Sequence, residues 1–150
     1  MTKVIFVCLG NVCRSPMAEF MFKKKLQEAG LESSFLVSSA GLDFSVNGMK
    51  MDPRAEAVLK EHEVNFTPHQ ARIFTLADYA ANDYILAMET YNLILLKRRF
   101  SSRSLPKAKR LFDYSSSPHD ILDPMVTKDF KTAYDEIDRG LDEFLKQFKK

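Results

Sequence analysis

The chain reads as an α/β domain built on a four-stranded parallel sheet, with helices on both faces in three layers. Three observations predict this. Short apolar runs at residues 3–7, 35–39, 83–88 and 108–112 are the length of buried strands. Amphipathic stretches of helical period separate them, which is the pattern of strand–helix crossovers. Capping and turn residues stand at the joints between the two kinds of segment. In open sheets of this kind, ligands bind beyond the carboxyl ends of the strands.

The elements follow in order. Residues 3–7 form a buried strand. Pro16 opens a helix over 16–29, whose apolar stripe is Ala18, Met21, Phe22, Leu26 and Ala29, and Gly30 ends it. Residues 35–39 form the second strand, and a turn-rich segment with Asn47-Gly48 follows. Asp52 caps a helix with Pro53 at its first position and Ala55, Val58, Leu59 and His62 facing inward. Thr75 caps a short helix through Ala81, and residues 83–88 form the third strand. A helix of ten residues follows Thr90, and residues 108–112 form the fourth strand. Residues 113–126 are expected as loop. The last helix, 128–148, has its stripe at Phe130, Ala133, Tyr134, Ile137, Leu141, Phe144, Leu145 and Phe148.

Bulk properties bound the function. A chain of 150 residues suits one domain, here 1–150. Its 45% apolar and 28% charged residues are those of a soluble globular protein. A net charge of +2 is too small to argue for nucleic acid. The first apolar run is too short for a signal peptide or a membrane span, so a cytoplasmic location is expected, with no membrane partner. The two cysteines make no disulfide framework. The oligomeric state is left open.

The chemistry concentrates at Cys8-Leu9-Gly10-Asn11-Val12-Cys13-Arg14-Ser15, directly after the first strand. Gly10 and Asn11 tolerate positive φ, which lets backbone N–H groups turn inward. A thiol, those N–H groups, a helix N-terminus and a guanidinium then surround one point. Such a point binds an oxyanion and stabilises a thiolate. A buried cysteine after a strand is otherwise just a small hydrophobe, but that explains neither the Gly-Asn turn nor Arg14-Ser15. The chemistry indicated is nucleophilic displacement at a bound phosphoryl group. Arg14 would clamp two phosphoryl oxygens with its planar fork.

Residues 7–19, Val-Cys-Leu-Gly-Asn-Val-Cys-Arg-Ser-Pro-Met-Ala-Glu, resemble the signature of low-molecular-weight protein tyrosine phosphatases. Weaker matches keep the family's order along the chain: Ser39-Ala40-Gly41, Asp52-Pro53-Arg54, His69-Gln70-Ala71-Arg72, Asp83–Met88, Asn92-Leu93 and Asp123-Pro124. The resemblance implies a phosphocysteine intermediate on Cys8 and phosphorylated protein as substrate. Inorganic phosphate and vanadate would inhibit. It gives the Ser15 hydroxyl a hydrogen bond to the thiolate, and makes Asp123 the general acid and base. Alone, Asp-Pro is an ordinary turn signal. It assigns Asn11, Ser39 and His69 to a network that shapes the loop. Each also has a local reading, as turn filler, strand end and surface residue. Glu89 stands where the family usually has an aspartate, and Asn92 matches a family asparagine. Cys13 lies where the family forms a reversible disulfide with the nucleophile; a buried structural thiol is the alternative.

The substrate slot departs from the family. Met125-Val126 follows Asp-Pro where aromatic residues are common, and Ser45 aligns with an aromatic wall position, with Phe44 beside it. A related branch removes phosphate from arginine and carries threonine where this chain has Val12. Phosphoarginine is therefore the alternative substrate. Arsenate reduction on the same scaffold needs relay cysteines, and none follows Cys13. No nucleotide-binding phosphate loop and no zinc spacing occurs, so no cofactor or metal is expected. The basic stretch Lys97-Arg98-Arg99, Arg103, Lys107, Lys109-Arg110 reads as a solvated helix end and loop.

Overall fold

A computed structural model describes residues 1–100 and 105–149. The four strands are β1 (Thr2–Cys8), β2 (Phe35–Gly41), β3 (Tyr84–Ala87) and β4 (Ala108–Arg110). They form one parallel sheet in the order β2-β1-β3-β4. β1 is central, and Val4 to Val7 are wholly buried. Its side chains alternate between two cores, as a period of two requires. Val4, Phe6 and Cys8 join one core, and Ile5 and Val7 join the other.

Helices α1 (Arg14–Glu28), α2 (Pro53–Glu61) and α6 (Phe130–Lys146) cover the first face. Phe22 of α1 meets Phe6, Phe35 and Phe144 at ring separations of 5.6–5.8 Å. The other face, around Phe74, Ile85 and Leu96, is covered by α4 (Thr90–Arg99) and the segment through α3 (Leu76–Ala81). β1 pairs with β2 on one side and β3 on the other, so the chain order reverses at β1. That reversal opens a crevice at the carboxyl end of β1. Cys8 is the last residue of β1, aligned with Gly41 of β2.

The expected fold class is the observed one, and several local expectations need correction; the last helix, expected over 128–148, spans Phe130–Lys146. α1 begins at Arg14, two residues before Pro16, with Met17 N–H donating to the Cys13 carbonyl at 3.0 Å. Pro16 still lies in the first turn, where its missing N–H leaves no gap. Ala29 is exposed, because the helix has ended before it. β4 stops at Arg110, and Leu111–Tyr114 form a tight 3-10 turn. Leu111 and Phe112 are buried there under α6, and Leu111 Cδ2 would lie 2.8 Å from a Cβ on Gly140. An apolar run signals burial, and here burial comes without strand pairing. The segment 113–126 also contains the start of a short helix, α5 (Pro124–Thr127), capped by Asp123. Lys128, at φ 65°, turns the chain from α5 into α6.

Candidate active site

Sequence order places Gly10 and Asn11 where the chain must leave the strand and curl back. Asn11 takes the left-handed conformation, φ 56°. Its N–H then points at Cys8 Sγ, 3.2 Å away. The Ser15 N–H, in the first turn of α1, also points at Sγ from 3.4 Å, and the Ser15 hydroxyl lies 3.0 Å from it. First-turn N–H groups have no partner within their helix, so a negatively charged sulfur is a natural acceptor.

The loop is held from behind. Asn11 is fully buried. Its Nδ2 donates to Ser15 Oγ at 2.8 Å and to Ser39 Oγ at 3.0 Å, and its Oδ1 accepts from the Arg72 N–H at 3.1 Å. The Ser39 hydroxyl in turn donates a hydrogen bond to Glu19 Oε1 at 2.7 Å. His69 Nε2 lies 2.8 Å from the Asn11 carbonyl oxygen. Leu42 and Asp43 N–H groups donate to the Leu9 carbonyl, and Asp52 N–H to that of Val12. Gly41 admits this packing, since a Cβ there would stand 2.9 Å from Asn11 Cβ and 3.0 Å from the Gly10 backbone.

Arg14 is the largest fully buried side chain that carries charge. Nη1 donates to the Ile121 carbonyl at 2.6 Å, and Nη2 to Glu89 Oε1 at 3.1 Å. Asp123 Oδ2 lies 3.5 Å from the same Nη2. Burial works against the guanidinium charge, but the Cys8 thiolate, then Glu89 and Asp123, outweigh it and hold the pKa above its ordinary value. Asn92 fixes the neighbouring turn, its Oδ1 accepting from the N–H groups of Met88 and Glu89. Asp123 Oδ1 accepts from Met125 N–H at 3.0 Å, which leaves Oδ2 on the Arg14 side. Cys13 is buried, and burial first, then Asp52, pushes its thiol pKa well up. It is a neutral thiol at ordinary pH.

The structure thus brings Cys8, Asn11, Arg14, Ser15, Ser39, His69, Glu89, Asn92 and Asp123 into one network. It does not do the same for the expected slot. The Phe44 ring is 66% exposed and carries the Arg99 guanidinium over its face at 4.5 Å. Ser45 turns its hydroxyl to Asp43 Oδ1 at 2.6 Å. Met125 does reach the rim, where its sulfur meets Arg54 Nη2 at 3.6 Å. Three contributors went unread in the sequence. Glu19 sits one helical turn after Ser15, a spacing that marks it as a neighbour of the network. The Ile121 carbonyl and the Arg72 N–H are backbone groups, and nothing in their side chains announces them.

The basic stretch also differs from a freely solvated one. Lys107 Nζ donates to the Tyr79 and Asn82 carbonyls, and Arg110 pairs with Asp113 and Asp120. Arg103 lies outside the described residues. A groove of 590 Å³ around Phe20, Leu36 and Phe66 includes none of the phosphate-loop residues. Among the described residues, no helix is long and apolar enough to cross a membrane.

A sequence profile described as low molecular weight phosphotyrosine protein phosphatase matches residues 3–150. The chain belongs to that family. A pig (Sus scrofa) low molecular weight phosphotyrosine protein phosphatase is 38% identical over 150 residues, 96% of this chain and 94% of the relative. The crystal structure of YfkJ from Bacillus subtilis superposes with a TM-score of 0.92 at 33% identity, covering 98% of this chain and 94% of that one. A Drosophila arginine phosphatase superposes at 0.87 with 32% identity, covering 99% of each chain. The family is the one the first motif suggested, and its members act on phosphorylated proteins.

Proposed function

We propose that the chain hydrolyses phosphate monoesters, phosphotyrosine in proteins foremost, through a phosphocysteine on Cys8. The observation that carries this is the convergence on Cys8 Sγ of two backbone N–H groups and the Ser15 hydroxyl, beside a locked Arg14. In the first step Sγ attacks phosphorus and the bond to the ester oxygen breaks. Protonated Asp123 gives its proton, through Oδ2, to the departing oxygen. Arg14 and the loop N–H groups hold the phosphoryl oxygens as charge spreads over them. In the second step Asp123 takes a proton from water, whose oxygen attacks phosphorus and releases the thiolate and inorganic phosphate. Glu89 and Ile121 fix the guanidinium, so it need not reorganise during transfer. Inorganic phosphate and vanadate should compete with substrate for this site.

A phosphoarginine reading draws on two observations. Phe44 carries the Arg99 guanidinium over its ring, and Ser45 stands where the family commonly has an aromatic wall residue. Val12 fills a position that is threonine in the arginine-directed branch, and an arginine phosphatase is among the structural neighbours. The deciding experiment compares kcat/KM on matched peptides carrying phosphotyrosine or phosphoarginine. Preference for phosphotyrosine supports the main reading, and preference for phosphoarginine replaces it.

A further inference from the structure

Arg14 is gripped by two acceptors from different parts of the chain. Glu89 stands at the start of α4, and the Ile121 carbonyl belongs to the segment that ends in Asp123. The residues next to these two acceptors are themselves tied together. Asp120 Oδ1 accepts from the Thr90 N–H at 2.9 Å and from the Thr90 hydroxyl at 2.9 Å. The same oxygen accepts from Arg110 Nη1 at 3.0 Å. Arg110 is anchored in turn by Asp113, with Nε to Oδ1 at 3.1 Å and Nη2 to Oδ1 at 2.8 Å.

We propose that Asp120 is a positioning residue that sets the spacing between the Glu89 carboxylate and the Ile121 carbonyl, and so fixes Arg14 for phosphate. This rests on the reading of Arg14 as the phosphate clamp. Thr90 follows Glu89 and Ile121 follows Asp120, so the Thr90–Asp120 clasp closes one residue away from each jaw. Arg110, at the end of β4, fixes the clasp to the sheet. Two neighbouring tethers act beside it. Ile121 N–H bonds the Met88 carbonyl at 2.9 Å, and Asn92 of α4 accepts from the Met88 and Glu89 N–H groups, so the clasp stiffens a junction that the backbone also closes. His119 ties the preceding residue to Glu136 on α6, away from Thr90. Asp123 lies three residues beyond Asp120, so the clasp also sets where the proton donor begins. Three donors on one carboxylate oxygen, two of them uncharged and one a guanidinium, make a stiff joint.

The test measures phosphate binding directly, by calorimetry, for the wild type, Asp120→Ala and Asp120→Asn, well below each unfolding midpoint. Loss of the clasp weakens one charge-assisted contact to Arg14, so Asp120→Ala should raise the phosphate Kd about tenfold. Asp120→Asn keeps an acceptor for Thr90 and should stay within about threefold. The slope of log kcat/KM against leaving-group pKa should steepen in Asp120→Ala, because Asp123 loses its place; a change in stability alone leaves that slope unmoved. Should Asp120→Ala not fold, Thr90→Val removes only the hydroxyl arm and should raise Kd about twofold. A folded Asp120→Ala, or in its place Thr90→Val, with wild-type Kd overturns the proposal. A wild-type protein that binds no phosphate overturns the clamp reading itself, which is a different result.

Discussion

Replacing Asn11 by alanine should damage the protein more than any exposed polar substitution. The side chain is fully buried and makes three hydrogen bonds, to Ser15, Ser39 and the Arg72 N–H. Removing it leaves the Ser15 and Ser39 hydroxyls and the partly buried Arg72 N–H without that partner, at about 1 kcal/mol net for each bond. Alanine must also hold the left-handed conformation that asparagine tolerates, which adds about 1 kcal/mol. The sum is about 4 kcal/mol. For a chain of this size each kcal/mol moves Tm by about 2–4 °C, so a fall of roughly 8–16 °C is expected. The chain has no tryptophan, so urea unfolding is best followed by far-UV circular dichroism. A double-mutant cycle with Ser39→Ala should return a coupling of about 1 kcal/mol, since one bond is shared. Turnover should fall as well, because the Asn11 N–H that faces Cys8 Sγ depends on this backbone shape. A loss below about 1 kcal/mol with normal turnover would refute the claim that the side chain holds the loop.

Three further outcomes are expected. Asp123→Asn should slow hydrolysis of alkyl and phenyl phosphates far more than that of p-nitrophenyl phosphate, whose leaving group needs little proton donation; an equal loss across the series would remove Asp123 as the acid. His119 is bonded to Glu136 at 2.6 Å, which, with the Ser117 carbonyl, raises its pKa above 6.5. Its contribution to stability is therefore full below pH 6.5 and is lost as pH rises through the raised value, so His119→Gln should cost more stability near pH 6 than near pH 8.5. Peroxide should oxidise Cys8 to a sulfenic acid, which the Cys13 thiol converts to a disulfide with loss of water; recovery with dithiothreitol should be poorer in Cys13→Ser, and equal recovery would deny Cys13 a protective role. Because burial and Asp52 keep Cys13 protonated, closure of the bridge should accelerate as pH rises.

The strand–helix alternation was legible because β1 is buried on both faces and α6 shows its stripe from Phe130 to Leu145. Cys8, Arg14 and Ser15 were legible for a different reason. A thiol, a guanidinium and a hydroxyl at that spacing after a strand have few other uses. The boundary at Leu111 was not legible, because burial under α6 and pairing in a sheet select the same apolar residues. Nor was the short helix at Pro124, since Asp-Pro begins turns and helices alike. The cation over Phe44 was not legible, because Arg99 stands 55 positions later and only the fold brings it to that ring. The two grips on Arg14 illustrate the general limit. Glu89 carries a charge and can be suspected, whereas Ile121 contributes only its carbonyl, whose direction the fold alone decides.

The central claim is that Cys8 carries the phosphoryl group, and it can be measured without inference from rates. Asp123→Asn is mixed with p-nitrophenyl phosphate and denatured within the first turnovers. The activated leaving group allows the first step, while loss of the base slows the second, so the intermediate should accumulate. Peptide mass spectrometry should then find one phosphoryl group on Cys8 and none on Cys13 or Ser15. No adduct on Cys8, or an adduct on another residue together with sustained turnover by Cys8→Ala, would contradict the account.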